Sequence, residues 1–387
     1  MVIFFGYPRS NGSVGTRNYI GIISTTACAN DVTLWISERV PGSPPFLHGQ
    51  GCSQTKPDLE MTTRTLISLG WNPNLAGVLL VSLGCESVSV DEIAEGISAS
   101  GKPVEKVVLQ KVGGATEAVN QGVRMAQAMV TEASKINREE FPDSELVLGV
   151  KCGASDTTQG LIANPTAGAT LDLLIDNGGT CIFGETTEFM GAEHILARRA
   201  ATPEVGQKII DIVARMEKRV TDVGFDMRGG QPTTGNIAGG LTTIEEKSLG
   251  AIAKSGTRTI QAVCEYGERP KGKGLYIVDT PGREPEFLTA LAAAGAQVII
   301  FTTGLGAPQG SPFVPVIKIT GNPNTYKNLP EHLDMHIELE DKTTSGITKA
   351  SRVLYQEVLA VASGKQTKAE VIGYGTFPNI FTIGPVI

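Results

Sequence analysis

The chain has 387 residues, of which 46 are glycine, about 12% against a usual ~7%; only 5% are aromatic and 19% charged. That length holds two domains, and 41% hydrophobic content excludes a disordered chain. A net charge of −7 without a basic stripe argues against nucleic acid as a partner, and no apolar run reaches the ~18 residues of a membrane span.

In chain order, the short apolar run at the N-terminus lacks the basic region of a secretion signal, so the six cysteines read as free thiols of a soluble, cytoplasmic protein. Apolar runs from Tyr19 (YIGIIS), Leu75 (LAGVLLVSLG), Glu105 (EKVVLQ), Leu146 (LVLGVKCG) and Thr180 (TCIFGE) predict buried strands. Helical patterns alternate with them, from Asp58 (DLEMTTRTLISLG), Ala115 (ATEAVNQGVRMAQAMV) and Pro203 (PEVGQKIIDIVARMEKRV). Residues 226–241 (DMRGGQPTTGNIAGGL) read as a long functional loop or a boundary. Thr242 and Thr243, each followed three residues later by glutamate, predict a capped helix (TTIEEKSLGAIAKSG). Strands follow at GLYIVDT, QVIIFTTG, PVIKITG and DMHIELE, with helices at PEFLTALAAAG and about Thr348 to Ser363.

This alternation predicts an α/β fold of two domains with mainly parallel sheets. The catalytic domain is expected over 1–245, and a smaller, Rossmann-like one over 246–387. The segment GLGAPQG (304–310) imitates a dinucleotide-binding loop. Its third glycine comes one residue late and it runs into Pro312 rather than a helix, so nicotinamide or flavin binding is disfavoured.

Chemistry is sought where scarce residues meet glycine at strand ends, because open α/β sheets bind ligands there. His48 and Cys52 lie in HGQGC, Cys85 and Glu86 in SLGCES, Cys152 in VKCGASD. GETTEFMGAEH (184–194) adds Glu185, Glu188, Glu193 and His194. Carboxylates with an imidazole and water suit Fe(II), Mn(II) or Zn(II). Cys28, Cys181 and Cys264 read as small buried hydrophobes. An iron–sulfur cluster on three separated cysteines is the disfavoured alternative, since no CxxC pair is present. Arg17 and Asn18 (SVGTRNY), Ser155, Asn164 (NPTAG) and Asn236 (GNIAGG) are candidate substrate contacts, and Lys151 and Lys247 supply positive charge for an acidic ligand.

Taken together, GYPRSNGSVGTRNYIGI, HGQGC, SLGCES, KCGASD with NPTAG, GETTEFMGAEHILARRA and GNIAGGLTTIEEKSLGAIAKSG resemble the altronate/galactarate dehydratase family, from about Gly6 to the C-terminus. The resemblance implies dehydration of a sugar acid to a 2-keto-3-deoxy acid, assisted by a divalent metal, commonly iron(II). The family's full-length dehydratases carry an additional small N-terminal domain. The arrangement here also resembles the large subunit of sulfolactate sulfo-lyase, which implies a separate small subunit as partner. Expected metal ligands are His48, Cys52, Cys85, Glu86, Cys152, Glu188 and His194; expected catalytic residues are His48, Glu86, Lys151, Asp156 and Lys247. The expected partners are a small-molecule sugar acid and further copies of the chain. A non-catalytic subunit that binds a sugar acid is the reading from another class, disfavoured by the concentration of cysteine, histidine and glutamate.

Overall fold

The computed structural model describes residues 2–341, 343–375 and 378–387. In chain order the strands are β1 (Ile3–Pro8), β2 (Val14–Gly15), β3 (Tyr19–Ser24), β4 (Pro45–Phe46), β5 (Leu75–Ser82), β6 (Val104–Val108) and β7 (Glu139–Pro142). Then follow β8 (Val147–Gly153), β9 (Thr180–Phe183), β10 (Ile260–Cys264), β11 (Gly274–Val278), β12 (Val298–Thr303), β13 (Val316–Thr320) and β14 (Met335–His336). They form an antiparallel sheet β2–β1–β7, a parallel sheet β4–β3–β5–β6 and a seven-stranded parallel sheet β10–β11–β9–β8–β12–β13–β14.

Parallel strands covered on both faces read as continuous apolar runs, which is why β5 is LAGVLLVS with every residue buried. Val78 and Leu80 pack with Leu66 and Leu69 of the helix Lys56–Gly70. Leu79 and Val81 face the other way, toward Ala118, Ala126 and Met129 of the helix Ala115–Ala133. The larger sheet repeats the pattern. Leu148, Val150 and Ile300 share a core with Leu171 and Leu174, whereas Ile299 and Phe301 pack with Phe287 and Leu291 on the opposite face. Each such side chain contributes ~1.5–3 kcal/mol by leaving water.

The protein is thus α/β with mainly parallel sheets. The division expected at residue 245 is corrected by the strand order. β8 and β9 precede that residue, β10 to β14 follow it, and all seven share one sheet. The second unit therefore begins before β8 and is the larger of the two, because the segment between β9 and β10 is an excursion from one sheet and not a linker. Within 226–241 the chain forms two short helices, Met227–Gly230 and Thr234–Ala238. The next helix, Ile244–Ile252, is capped as its sequence predicts: Thr243 Oγ1 accepts from the Glu246 amide, and Glu246 accepts from the Thr242 amide. The 304–310 segment continues as irregular loop with no helix after it. No helix among the described residues is long and apolar enough to cross a membrane.

Candidate active site

β8 is the point where the sheet changes direction. The chain passes from β8 to β9 on one side and later returns to place β12 on the other. Such switch points open a crevice at the carboxyl ends of the strands. Lys151 and Cys152 end β8, and Glu185 and Glu188 follow β9. Glu185 holds a left-handed backbone, φ +71, which is uncommon for a residue with a side chain. Its amide donates to Thr280 Oγ1 at 3.0 Å, and the next amide donates to the Thr280 carbonyl, so β11 enforces the turn. Lys254 arrives from the turn Ala253–Ser255 beyond the capped helix.

These side chains meet in a buried ionic cluster. The Lys254 ammonium donates to Cys152 Sγ at 3.0 Å and to Glu185 Oε2 at 2.5 Å, and lies 3.4 Å from Glu188 Oε2. Lys151 Nζ donates to Glu185 Oε1 at 3.0 Å, and the Cys152 thiol to Glu188 Oε2 at 2.7 Å. Lys247, on the capped helix, places Nζ 3.6 Å from Glu188 Oε1. Burying charge is tolerable only with such pairing. Burial opposes the charge on Lys254, but Cys152, Glu185 and Glu188 outweigh it and hold the ammonium protonated. Burial, with Glu185 and Glu188 close by, pushes the Cys152 thiol well up, so it stays neutral and donates. Burial raises the Glu188 carboxyl, yet Lys254 and Lys247 prevail and bring it down to about 2.

Beside the cluster lies a cavity of about 310 Å³, lined by Ser155, Asp156, Gln159, Asn164, Glu246 and Lys247 among others. Ser155 and Asn164, expected as substrate contacts, and Asp156, expected as a catalytic residue, line it. Asp156 accepts from Thr158, the Gln159 amide and Asn322. Asn164 bridges Thr302 and the Gly250 carbonyl, and Asn236 donates to the Ser155 carbonyl. Asp156 and Asn164 shape the wall with their side chains already engaged, and Asn236 is not part of the lining. Lys247 is the cation at its edge.

The remaining candidates lie elsewhere. Arg17 spends all five N–H groups on Glu370 and the carbonyls of Thr16, Val361 and Lys365. Asn18 accepts from Arg9 and donates to the Ala133 carbonyl. Both fasten the chain rather than face the cavity. His194 is exposed on the helix Glu193–Ala197 and joins no group of three close ligand atoms among the described residues.

His48 is buried with both ring nitrogens committed: Nε2 lies 2.8 Å from the Ser24 carbonyl and Nδ1 accepts from the Gln50 amide. Burial lowers it to about 4, so it is neutral and has no free nitrogen for a metal. Glu86 accepts from Ser82, Thr25 and the Gly84 amide. Burial works against its charge, but the bonds from Ser82 and Thr25 hold it below the usual carboxylate range. Cys52 and Cys85 are exposed near these residues, far along the chain from the ionic cluster, and Cys28 is exposed rather than buried as expected.

The structure therefore brings Lys151, Cys152, Glu188 and Lys247 together in one network of contacts, and neither His48 nor Glu86 takes part in it. Glu185 is central although the sequence offered it only as one carboxylate of a motif, and Lys254 was missed. The signal was available: Lys254 follows Lys247 by seven residues, so both project from the same side of one helical segment.

Two family models match the chain. Residues 6–134 match the second domain of D-galactarate dehydratase/altronate hydrolase, and residues 143–385 match the C-terminal domain of D-galactarate/altronate dehydratase. The (2R)-sulfolactate sulfo-lyase subunit beta of Chromohalobacter salexigens is 37% identical over 97% of this chain and 96% of its own. Altronate dehydratase of Bacillus subtilis is 35% identical over 95% of this chain and 75% of its own. Galactarate dehydratase (L-threo-forming) of Escherichia coli is 33% identical over 99% and 77%. The chain belongs to the D-galactarate/altronate dehydratase family of lyases.

Proposed function

We propose that the chain catalyses β-elimination from a hydroxylated carboxylate, a sugar acid such as altronate or galactarate, at the carboxyl edge of β8 and β9. The observation that carries this reading is the link between the cavity and the ionic cluster through Lys247 and Glu188.

Elimination removes a weakly acidic proton α to a carboxylate and expels the β-substituent. Negative charge then develops on the carboxylate oxygens, and fixed cations in a dry site stabilise it. Lys247 pairs with the substrate carboxylate. That pairing loosens its hold on Glu188, whose carboxylate gains basicity, takes the α-proton and hands it to the departing β-hydroxyl, which leaves as water. Lys254 keeps Glu188 oriented, and the Cys152 thiol supplies the hydrogen bond that the buried carboxylate requires.

The donor chemistry also fits a divalent ion. Cys152, Glu185 and Glu188 offer ligand atoms within 4.8 Å of one another, a mixed sulfur and oxygen set suited to Fe(II), Mn(II) or Zn(II). All three already converge on the Lys254 ammonium, so the cradle is shaped around positive charge. A metal bound there supplies Lewis-acid stabilisation of the developing carboxylate charge.

The relative from Chromohalobacter, matched nearly end to end, favours a second reading: elimination of sulfite from a sulfonated hydroxy acid, with a partner chain. The test is a panel of aldonates, aldarates and sulfolactate, assayed anaerobically with Fe(II) or Mn(II), with and without a small subunit. Release of a 2-keto-3-deoxy acid supports dehydration, and sulfite release supports the second reading. No turnover on any of them under every condition overturns both.

A further inference from the structure

The motifs HGQGC and SLGCES take no part in the reading above, since His48 and Glu86 are committed to their own neighbours. What those two residues do is lace loops together. β3, β4 and β5 are neighbours in the four-stranded sheet, and the loop after each carries one cysteine: Cys28, Cys52 and Cys85. His48 ties the β4 loop to the Ser24 carbonyl, and Thr25 donates to Glu86 across to the β5 loop. The Ala27 amide donates to the Gln50 carbonyl, and the Ser87 and Val88 amides both donate to the Gly51 carbonyl. Only glycine fits at 51: φ is +104, and a Cβ there would lie 2.2 Å from the Thr25 carbonyl oxygen. Ser53, the residue after Cys52, is itself left-handed at φ +52. Strain of this kind persists where the surroundings over-determine it, often at functional sites.

All three thiols are exposed and free, on three loops braced against one another. Donors attend the sulfurs: Gln110 Nε2 lies 3.3 Å from Cys85 Sγ and Ser87 Oγ 3.8 Å from Cys52 Sγ. Gln54, two residues on from Cys52, is buried and its Nε2 has no acceptor among the described residues. Among the described residues the three thiols do not form a group with all ligand atoms within 4.8 Å, so as placed they do not close on one tetrahedral ion, whose ~2.3 Å Zn–S bonds hold sulfurs within ~4 Å. Clusters spread their thiolates over several irons and are tuned by hydrogen bonds to sulfur.

We propose that Cys28, Cys52 and Cys85 ligate an iron–sulfur cluster of the [4Fe–4S] type, its fourth iron left without a protein ligand and open to an oxygen ligand from solution. This centre shares no residue with the Cys152–Glu185–Glu188 cradle and goes beyond the reading above.

The test is anaerobic reconstitution of the whole chain with equal parts ferrous and ferric iron plus sulfide, followed by desalting. The expected result is a broad visible sulfide-to-iron absorption with about four iron and four sulfide per chain. Cys28→Ser, Cys52→Ser and Cys85→Ser each lose it, while Cys152→Ser keeps it even if elimination fails. Alkylation followed by mass spectrometry reads the same point without substitution: the loaded protein shields Cys28, Cys52 and Cys85, and the sulfide-free protein does not. The proposal is overturned if the absorption survives in all three variants, if Cys152→Ser abolishes it, or if alkylation of the three thiols is unchanged by loading.

Discussion

The Lys254 ammonium lies 3.0 Å from Cys152 Sγ, both side chains lost to solvent and 102 residues apart in the chain. The same ammonium balances Glu185 and Glu188. Lys254→Met strands two buried carboxylates and should cost about 3–5 kcal/mol in denaturant unfolding. Added Mn(II) should restore much of that loss in the variant and change the wild type little, because the ion then replaces the missing charge. A variant as stable as wild type, or one indifferent to Mn(II), would show that the cradle does not hold cations in this way.

Lys247 and Glu188 should separate kinetically. Lys247→Met removes a charged contact to the substrate carboxylate and should raise KM roughly ten- to hundredfold. Glu188→Gln removes the base and should lower kcat by about 10²–10⁴-fold with KM little changed. Steady-state kinetics on the preferred acid decide this, and equal effects on both parameters in both variants would contradict the division of roles.

Stability should depend on pH through two windows. His48 is neutral when folded, at about 4, so the unfolded chain takes up its proton first; stability falls as pH drops from about 6.5 to about 4, by about 3 kcal/mol. Glu188 is depressed to about 2, so its contribution is present above about 4.3 and is lost as pH falls toward 2. Unfolding free energies of His48→Gln should be flat across the upper window, and those of Glu188→Gln should lack the lower component. An unaltered slope in His48→Gln would assign the upper window to another group.

Arg17 should behave as a fastener. Arg17→Met breaks the buried pair with Glu370 and should destabilise the fold by about 3 kcal/mol without raising KM. A raised KM at unchanged stability would return it to the substrate.

The strands and the capped helix were legible because local period and capping chemistry carry them, as at β5 and at Thr243–Glu246. The domain division was not, because it depends on which strands pair, and β9 pairs with β11 across an excursion that no local pattern reveals. The site was half legible. Cysteine and glutamate beside glycine pointed to Cys152, Glu185 and Glu188, whose side chains do meet, but a motif does not say whether a side chain is spare. His48 has the right chemistry for a ligand but both ring nitrogens are committed, and Glu86 is already held by Ser82, Thr25 and the Gly84 amide. Lys254 shares a helical side with Lys247 in the sequence, but its part in the site follows from its burial against Cys152.

The order of strands also sets an order of assembly. The β4–β3–β5–β6 sheet closes within the first third of the chain, so the loops bearing Cys28, Cys52 and Cys85 can come together early. The other centre must wait. Glu185 is held by Thr280, and Cys152 is balanced by Lys254, so neither is in place until β11 has docked beside β9. Pairings that distant form slowly. The thiol-bearing loops thus draw only on strands from the first third of the chain, whereas the catalytic edge draws on segments from both sides of the excursion between β9 and β10.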